Sequence, residues 1–150
     1  MFKIKVLVVC KHPEHSKQSE ACKLINQEGF DFKYHWKNNL KPSDLKNINL
    51  VVSIGGDGTV LSASHYLIDK PILTVNSSPN KSEGVLTTIK IDNLDKKLKE
   101  IKLGKYKTEK LERIEVFINN VLQKPLVLNE VFIANKKAYW KLGPFDYTCG

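Results

Sequence analysis

The chain has 150 residues, enough for one compact domain or for one domain and part of a second. Its 41% apolar and 27% charged residues are an ordinary globular mixture, and no apolar run approaches the roughly 20 residues that cross a membrane. The net charge of +8 comes from lysines spread along the chain without interleaved stacking aromatics, so it argues against nucleic-acid binding and suits phosphorylated small molecules.

The first part of the sequence predicts a strand, a helix and a second strand. Residues 3–9 (KIKVLVV) alternate and then become continuously apolar, as a strand that enters the centre of a sheet does. A helix is expected to begin near Ser16 and to stop at Gly29, because glycine commonly follows a helix C-terminus. Residues 30–36 (FDFKYHW) alternate throughout, which is typical of an outer strand.

The middle of the sequence predicts two further strands, each followed by a helix. Residues 49–54 (NLVVSI) and 72–75 (ILTV) are typical of buried strands, and residues 59–67 are typical of a helix. Residues 94–101 place apolar side chains on one face of an otherwise basic helix, which is expected to end near Gly104. This order predicts an α/β fold, with an open, mostly parallel sheet and helices on its faces.

The pattern changes to long alternating runs after the basic helix. Residues 106–118 and 126–134 predict strands, and Asn119-Asn120 between them predicts a turn. Two or three strands with one apolar face are poorly stable alone, so this β region is expected to be incomplete. The sequence therefore predicts an α/β domain over residues 1–104, followed by the start of an all-β domain over residues 105–150.

The cysteines and histidines form no metal-binding pattern. Cys10, Cys22 and Cys149 are an odd number without metal-like spacing, and the four histidines are equally scattered. The first eleven residues (MFKIKVLVVCK) lack the features of a signal or transit peptide. We therefore expect no metal site formed by protein side chains, no membrane partner, and a location in the reducing cytoplasm.

Residues 51–67 (VVSIGGDGTVLSASHYL) carry the clearest functional signal. Three glycines surround Asp57 between a predicted strand and a predicted helix, where open α/β sheets bind ligands. Such glycines let a phosphate approach backbone N–H groups near a helix N-terminus, and the carboxylate then suits a hydroxyl group or a phosphate-bound cation. This combination is what phosphoryl transfer to a sugar hydroxyl requires. The alternative is a tight turn in which Asp57 only caps the helix.

Three segments carry a resemblance to a known family. VVSIGGDGTVL, residues 51–61, resembles the signature shared by NAD kinases, diacylglycerol and sphingosine lipid kinases and, with Ser for Thr, phosphofructokinases. LNEVFIA, residues 128–134, resembles the Asn-Glu motif of NAD kinases. VNSSPNKSEGVLT, residues 75–87, resembles the loop after the next strand of that family, in a form closer to its mitochondrial-type branch. The chain is therefore most similar to NAD kinases, over nearly its whole length.

The resemblance implies ATP-dependent phosphorylation of the adenosine 2′-hydroxyl of NAD, which gives NADP, with Mg²⁺ or another divalent cation. It makes Asp57 the catalytic carboxylate and the β region the start of an NAD-binding domain. The other site residues that it implies are the phosphate-facing Gly55, Gly56, Gly58 and Thr59 and the NAD-binding Asn76, Asn129 and Glu130. It also implies homo-oligomers built through the β domain, if that domain is complete.

The chain departs from the family pattern at its C-terminus. NAD kinases continue after the region of residues 139–150 into a segment that helps to hold NAD, whereas this chain stops at Gly150. The sequence therefore predicts the N-terminal portion of an NAD kinase or a shortened homologue, and it leaves open whether these residues are active alone. The alternatives are a non-catalytic nucleotide-binding homologue or interaction module, and a lipid kinase of the same superfamily.

Overall fold

The structure, a computed structural model, describes residues 3–11, 16–80 and 84–131, apart from the side chains of residues 16–18. The chain divides into two compact units, Met1–Lys110 and Leu111–Gly150. Within the described ranges, no helix is both long enough and apolar enough to span a membrane.

The first unit is built on a five-stranded sheet. Its strands are β1 (Lys5–Cys10), β2 (Asp31–Trp36), β3 (Leu50–Gly55), β4 (Ile72–Asn76) and β5 (Ile89–Lys90). Its helices are α1 (Ser16–Gln27), α2 (Asp57–Ser64) and α3 (Leu94–Lys102), together with the 3-10 helices Lys37–Asn39, Pro42–Leu45 and Ile91–Asn93. The strand order is β2-β1-β3-β4-β5, and every neighbouring pair is parallel. The predicted α/β fold class, an open parallel sheet with flanking helices, is confirmed.

The two faces of this sheet bury two separate apolar clusters. Successive side chains of a strand point to opposite faces, so Val6 and Val8 of β1 lie in one cluster while Leu7 and Val9 lie in the other. The first cluster packs against α1 and α3, and the second packs against α2 and the segment before β3. Because both faces are covered, β1 after Lys5 and all of β3 are buried, whereas β2 at the sheet edge is largely exposed.

Helix α1 ends in a glycine-dependent backbone motif. Gly29 has φ +79°, its N–H donates to the Asn26 carbonyl (2.9 Å), and the Phe30 N–H donates to the Ile25 carbonyl (3.3 Å). These two bonds are the Schellman pattern, which requires a left-handed residue where Gly29 stands. The predicted helix stop at Gly29 is confirmed, and Gly104 ends α3 with the same two bonds.

The second unit contains a short antiparallel hairpin, which fits the start of a β domain. Strands β6 (Phe117–Ile118) and β7 (Val121–Leu122) flank Asn119-Asn120, whose φ angles are +49° and +63°. Two consecutive left-handed residues are typical of the tight hairpin turn that asparagine favours, and the predicted turn is confirmed. One further antiparallel bridge joins Ile114 to Val127.

The predicted length of the two strands after residue 105, residues 106–118 and 126–134, is wrong. Residues 106–113 form no strand, and residues 132–134 of the second run lie outside the described residues. Alternation produces a regular strand where one face is buried, but within this unit Leu111 is 55% exposed and Phe117 is 58% exposed. The alternating pattern therefore overestimated the extent of pairing.

Cys10 ends β1 inside the first apolar cluster, and its buried thiol is expected to lower the stability of the fold at alkaline pH. Its side chain is 1% exposed, and burial, with a smaller contribution from the nearby Cys22 thiol, raises its pKa from 9.0 to about 12. Above about pH 9 the unfolded chain loses this proton while the folded chain keeps it. The free energy of unfolding therefore does not depend on this thiol below about pH 9, and it falls as the pH rises from about 9 towards about 12.

We expect the Cys10→Ala variant to show a shallower alkaline loss of stability than the unsubstituted chain. The difference in slope should approach about 1.4 kcal/mol per pH unit, because one proton separates the folded and unfolded states. Urea unfolding at several pH values between about 8 and 11 measures both slopes in the range where the two states differ in proton binding. Parallel slopes for the two proteins would assign the alkaline loss to other groups.

Candidate active site

The GGDGT segment lies where β3 passes into α2. Gly55 is the last residue of β3, Gly56 is the N-cap of α2 and Asp57 is its first residue. Strand β3 lies between β1 and β4, so the turn stands at the carboxyl end of a central strand. Ligands of open parallel sheets bind at this edge, and the sequence predicted the segment there.

The three glycines of the segment meet different surroundings. A Cβ atom at Gly55 would overlap the Thr59 hydroxyl and would lie 3.0 Å from the Thr59 Cβ, so only glycine fits against this side chain. Thr59 itself is 2% exposed. A Cβ atom at Gly56 or Gly58 would meet nothing within 4 Å among the described atoms. Gly55 therefore allows the close packing of the turn, while the other two leave space beside the backbone at the start of α2.

The Asp57 carboxylate accepts two backbone hydrogen bonds from the loop before β5. The Val85 N–H donates to Oδ2 at 2.8 Å, and the Leu86 N–H donates to Oδ1 at 3.0 Å. Each carboxylate oxygen has about two acceptor sites, so both oxygens keep capacity for a hydroxyl group or a cation. Asp57 is partly exposed.

Asn76 ends β4 directly beside the GGDGT turn. In the parallel register Asn76 pairs with Gly55 on one side and with Lys90 on the other. Its side chain is 5% exposed, and its Oδ1 accepts the Ser78 N–H at 2.9 Å. A cavity of about 300 Å³ adjoins it, lined by Asn76, Pro79, Thr87, Thr88, Ile89 and Lys90. The first unit thus brings the predicted site residues from Gly55 to Asn76 to one edge of the sheet.

Asn129 and Glu130 belong to the second unit. They follow the Val127 bridge, lie outside its strands, and are both exposed. Exposed carboxylate and amide groups can bind the hydroxyl and amino groups of a ligand. Their assignment to NAD binding stays a prediction.

Val85 and Leu86 are the site residues that the sequence analysis did not single out. They contact Asp57 across 28 and 29 residues of sequence and through backbone N–H groups, which no side-chain motif reveals. The only available signal was the resemblance of residues 75–87 to a family loop, and it names no atom. In the part of the chain that the structure describes, no three His, Cys, Asp or Glu side chains are grouped to hold a metal ion.

Known proteins similar to the chain are kinases of NAD or NADH. The NAD kinase of Clostridium perfringens is 33% identical over 136 residues, which are 88% of this chain and 45% of that protein. The NADH kinase of Arabidopsis thaliana is 27% identical over 123 residues, which are 71% of this chain and 38% of that protein. The NAD kinase of Pyrococcus furiosus is 30% identical over 112 residues, 73% of this chain and 39% of that protein. The chain therefore spans less than half the length of these relatives.

The match to a protein family covers the whole α/β sheet. Residues 3–106 match the family described as the ATP-NAD kinase N-terminal domain. This range contains β1 to β5, the GGDGT turn and the loop that binds Asp57. Because the match extends over more than half of the 150 residues, the chain belongs to the ATP-NAD kinase family.

Proposed function

We propose that the chain is the phosphate-transferring portion of an NAD kinase, which phosphorylates the adenosine 2′-hydroxyl of NAD with ATP and gives NADP. The observation that carries the proposal is the position of Asp57, the first residue of α2, between two glycines with open space beside their backbone. Family membership and the names of the relatives support the same reaction. They favour it over the lipid kinase alternative.

Asp57 is the catalytic carboxylate in this proposal. One of its oxygens accepts a hydrogen bond from the 2′-hydroxyl and orients it towards the terminal phosphate of ATP. The hydroxyl oxygen then bonds to phosphorus, the bond from phosphorus to the ADP oxygen breaks, and the hydroxyl proton passes to Asp57 as the new bond forms. Such proton acceptance contributes about 100- to 10,000-fold to the rate.

The glycines on either side of Asp57 bind the phosphates through their backbone. Gly56 and Gly58 have the space for this, and they stand at the N-terminus of α2, which favours an anion. Gly55 and Thr59 support the same loop by packing together, and the Thr59 N–H donates to the Gly56 carbonyl at 2.9 Å. The loop therefore combines two residues that face the phosphates with two that keep its shape.

A divalent cation fits this site when it arrives on the ATP phosphates. Mg²⁺ usually binds proteins through one or two carboxylates together with substrate phosphates, and Asp57 is such a carboxylate. When bound, the cation neutralises charge on the phosphates, and Asp57 would contact it.

NAD binding is assigned to Asn76, Asn129 and Glu130. Asn76 lies at the same sheet edge as Asp57, and Glu130 is a carboxylate of the kind that binds ribose hydroxyls in other dinucleotide sites. Homo-oligomers through the β domain, if that domain is complete, a cytoplasmic location and the lack of a nucleic-acid partner are also part of the proposal. Cys10 and Cys22 are free thiols, which supports a reducing compartment.

The test is NADP formation by the 150-residue chain in the presence of NAD, ATP and Mg²⁺, measured with an NADP-specific dehydrogenase. Asp57→Ala, purified in the same way, controls for kinases of the expression host. We expect NADP from the unsubstituted chain only. NADP formed equally by the Asp57→Ala variant would overturn the proposed catalytic site, whereas a folded chain that forms no NADP would show that these 150 residues are not active alone. Binding of NAD without turnover would indicate a nucleotide-binding homologue.

A further inference from the structure

The loop of residues 84–86 holds the Asp57 carboxylate at two points. Its donors are the N–H groups of two consecutive residues, Val85 and Leu86, and each binds a different oxygen, at 2.8 and 3.0 Å. One hydrogen bond would leave the carboxylate free to turn about its own axis. Two parallel bonds to different oxygens fix its plane as well as its place.

The same loop is anchored on the sheet behind it. The Thr88 N–H donates to the Thr74 carbonyl (3.1 Å) and to its Oγ1 (2.9 Å), which ties the end of the loop to β4. Gly84 has φ +67°, and a Cβ atom there would overlap the Thr87 hydroxyl and lie 3.2 Å from Asn76 Nδ2. The loop is therefore a bridge from β4 to the first residue of α2.

The side chain of Val85 takes no part in this bridge. It is 92% exposed, while its N–H is bonded to Asp57. The contact is therefore made by the backbone and tolerates a different side chain at this position. Only a residue that lacks the N–H group, namely proline, removes the bond directly.

We propose that the Val85 and Leu86 N–H groups are positioning groups for the reaction, which set the carboxylate plane of Asp57 for the attacking hydroxyl. This inference rests on the proposed function. A catalytic group must be held within about 0.5 Å of its productive position, and a displacement of about 1 Å costs on the order of 100-fold in rate. A fixed carboxylate directs its remaining acceptor sites to one place, whereas a freely turning one does not.

The contact itself is tested by NMR on the unsubstituted chain, without any activity measurement. A backbone N–H that donates to a carboxylate changes its chemical shift when that carboxylate is protonated. We expect the Val85 and Leu86 N–H signals to move together on acidification and to exchange slowly with solvent. In Asp57→Asn the common movement should disappear while the β3 amides stay protected. Signals of Val85 and Leu86 that titrate identically in both proteins would overturn the proposal.

The positioning role is tested with Val85→Pro, and Val85→Ala is the matched control that keeps the N–H group. We expect Val85→Pro to lower kcat about 10- to 100-fold with little change in KM for NAD, because the loss affects the attack and not the binding. Val85→Ala should stay at least about tenfold faster than Val85→Pro. Equal losses in the two variants, or a loss confined to KM, would overturn the role. If Val85→Pro does not fold, the NMR titration decides. If the 150-residue chain forms no NADP on its own, the proposed activity lacks support in this chain, and the titration decides whether the contact exists.

Discussion

Substitution of Asp57 by Asn is expected to lower the rate of NADP formation by about 100- to 10,000-fold. The amide cannot take the proton of the 2′-hydroxyl as the bond to phosphorus forms. The change keeps the size of the side chain and removes one negative charge from the start of α2. The measurement is kcat with NAD and ATP at saturation. Retention of more than about a tenth of the rate would contradict the role of Asp57 as the proton acceptor.

The two hydrogen bonds of Asp57 predict a second effect of this substitution. Asn offers one acceptor oxygen and one NH₂ group, whereas the Asp57 carboxylate accepts from both Val85 and Leu86. The NH₂ group would face a backbone N–H, and two donors that face each other destabilise the loop. We therefore expect Asp57→Asn to be less stable than the unsubstituted chain by about 1–3 kcal/mol, the usual cost of a lost charge-assisted bond. Urea unfolding measures it.

A double-mutant cycle separates the two effects. In Val85→Pro the N–H that opposes the amide is missing, so Asp57→Asn should cost less stability in that background than alone. The catalytic loss should persist, because no substitution at residue 85 restores a proton acceptor. Additive stability losses would show that Asp57 and Val85 are not coupled, contrary to the hydrogen bond at 2.8 Å.

The position of the GGDGT turn was predictable because it depends on local pattern. A buried strand, a glycine-rich turn and a helix follow each other within residues 50–64. Because ligands of open parallel sheets bind at the carboxyl ends of the strands, this order is enough to predict where the turn lies. The helix began and ended earlier than expected, at Asp57 and Ser64 instead of residues 59 and 67. Helix ends depend on capping and packing, which periodicity does not describe.

The partners of Asp57 were not predictable, for a physical reason. Hydrogen bonds to a backbone N–H depend on where the chain passes, and every residue except proline offers the same group. The loop reaches Asp57 because Thr88 is tied to β4 and because Gly84 adopts φ +67°. Both conditions are tertiary. The prediction for the β region was wrong for a different reason. The alternation in residues 106–113 indicated a strand, but almost all of these side chains remain exposed.

Alanine is expected to lower stability at Gly55 but not at Gly56. Gly55→Ala should destabilise the chain by about 1–3 kcal/mol, because its Cβ atom overlaps the buried Thr59 side chain. Gly56→Ala is the matched control one residue away. Its Cβ atom meets open space, and its φ of −104° suits alanine, so its stability should change by less than about 0.5 kcal/mol. Thermal and urea unfolding of both variants measure these changes.

Although Gly56→Ala is expected to keep its stability, it is expected to bind ATP more weakly. Gly56→Ala fills the space through which the ATP phosphates are proposed to reach the backbone, so KM for ATP should rise about tenfold or more in a fully folded protein. An unchanged KM would show that the phosphates do not bind at this turn.

The clash in Gly55→Ala is with Thr59. The variant Thr59→Ala removes the hydroxyl group, while its Cβ atom remains 3.0 Å from the added Cβ. The double variant should therefore be more stable than the sum of the single losses predicts, but should not regain full stability, because close packing of the turn requires a residue without a Cβ atom.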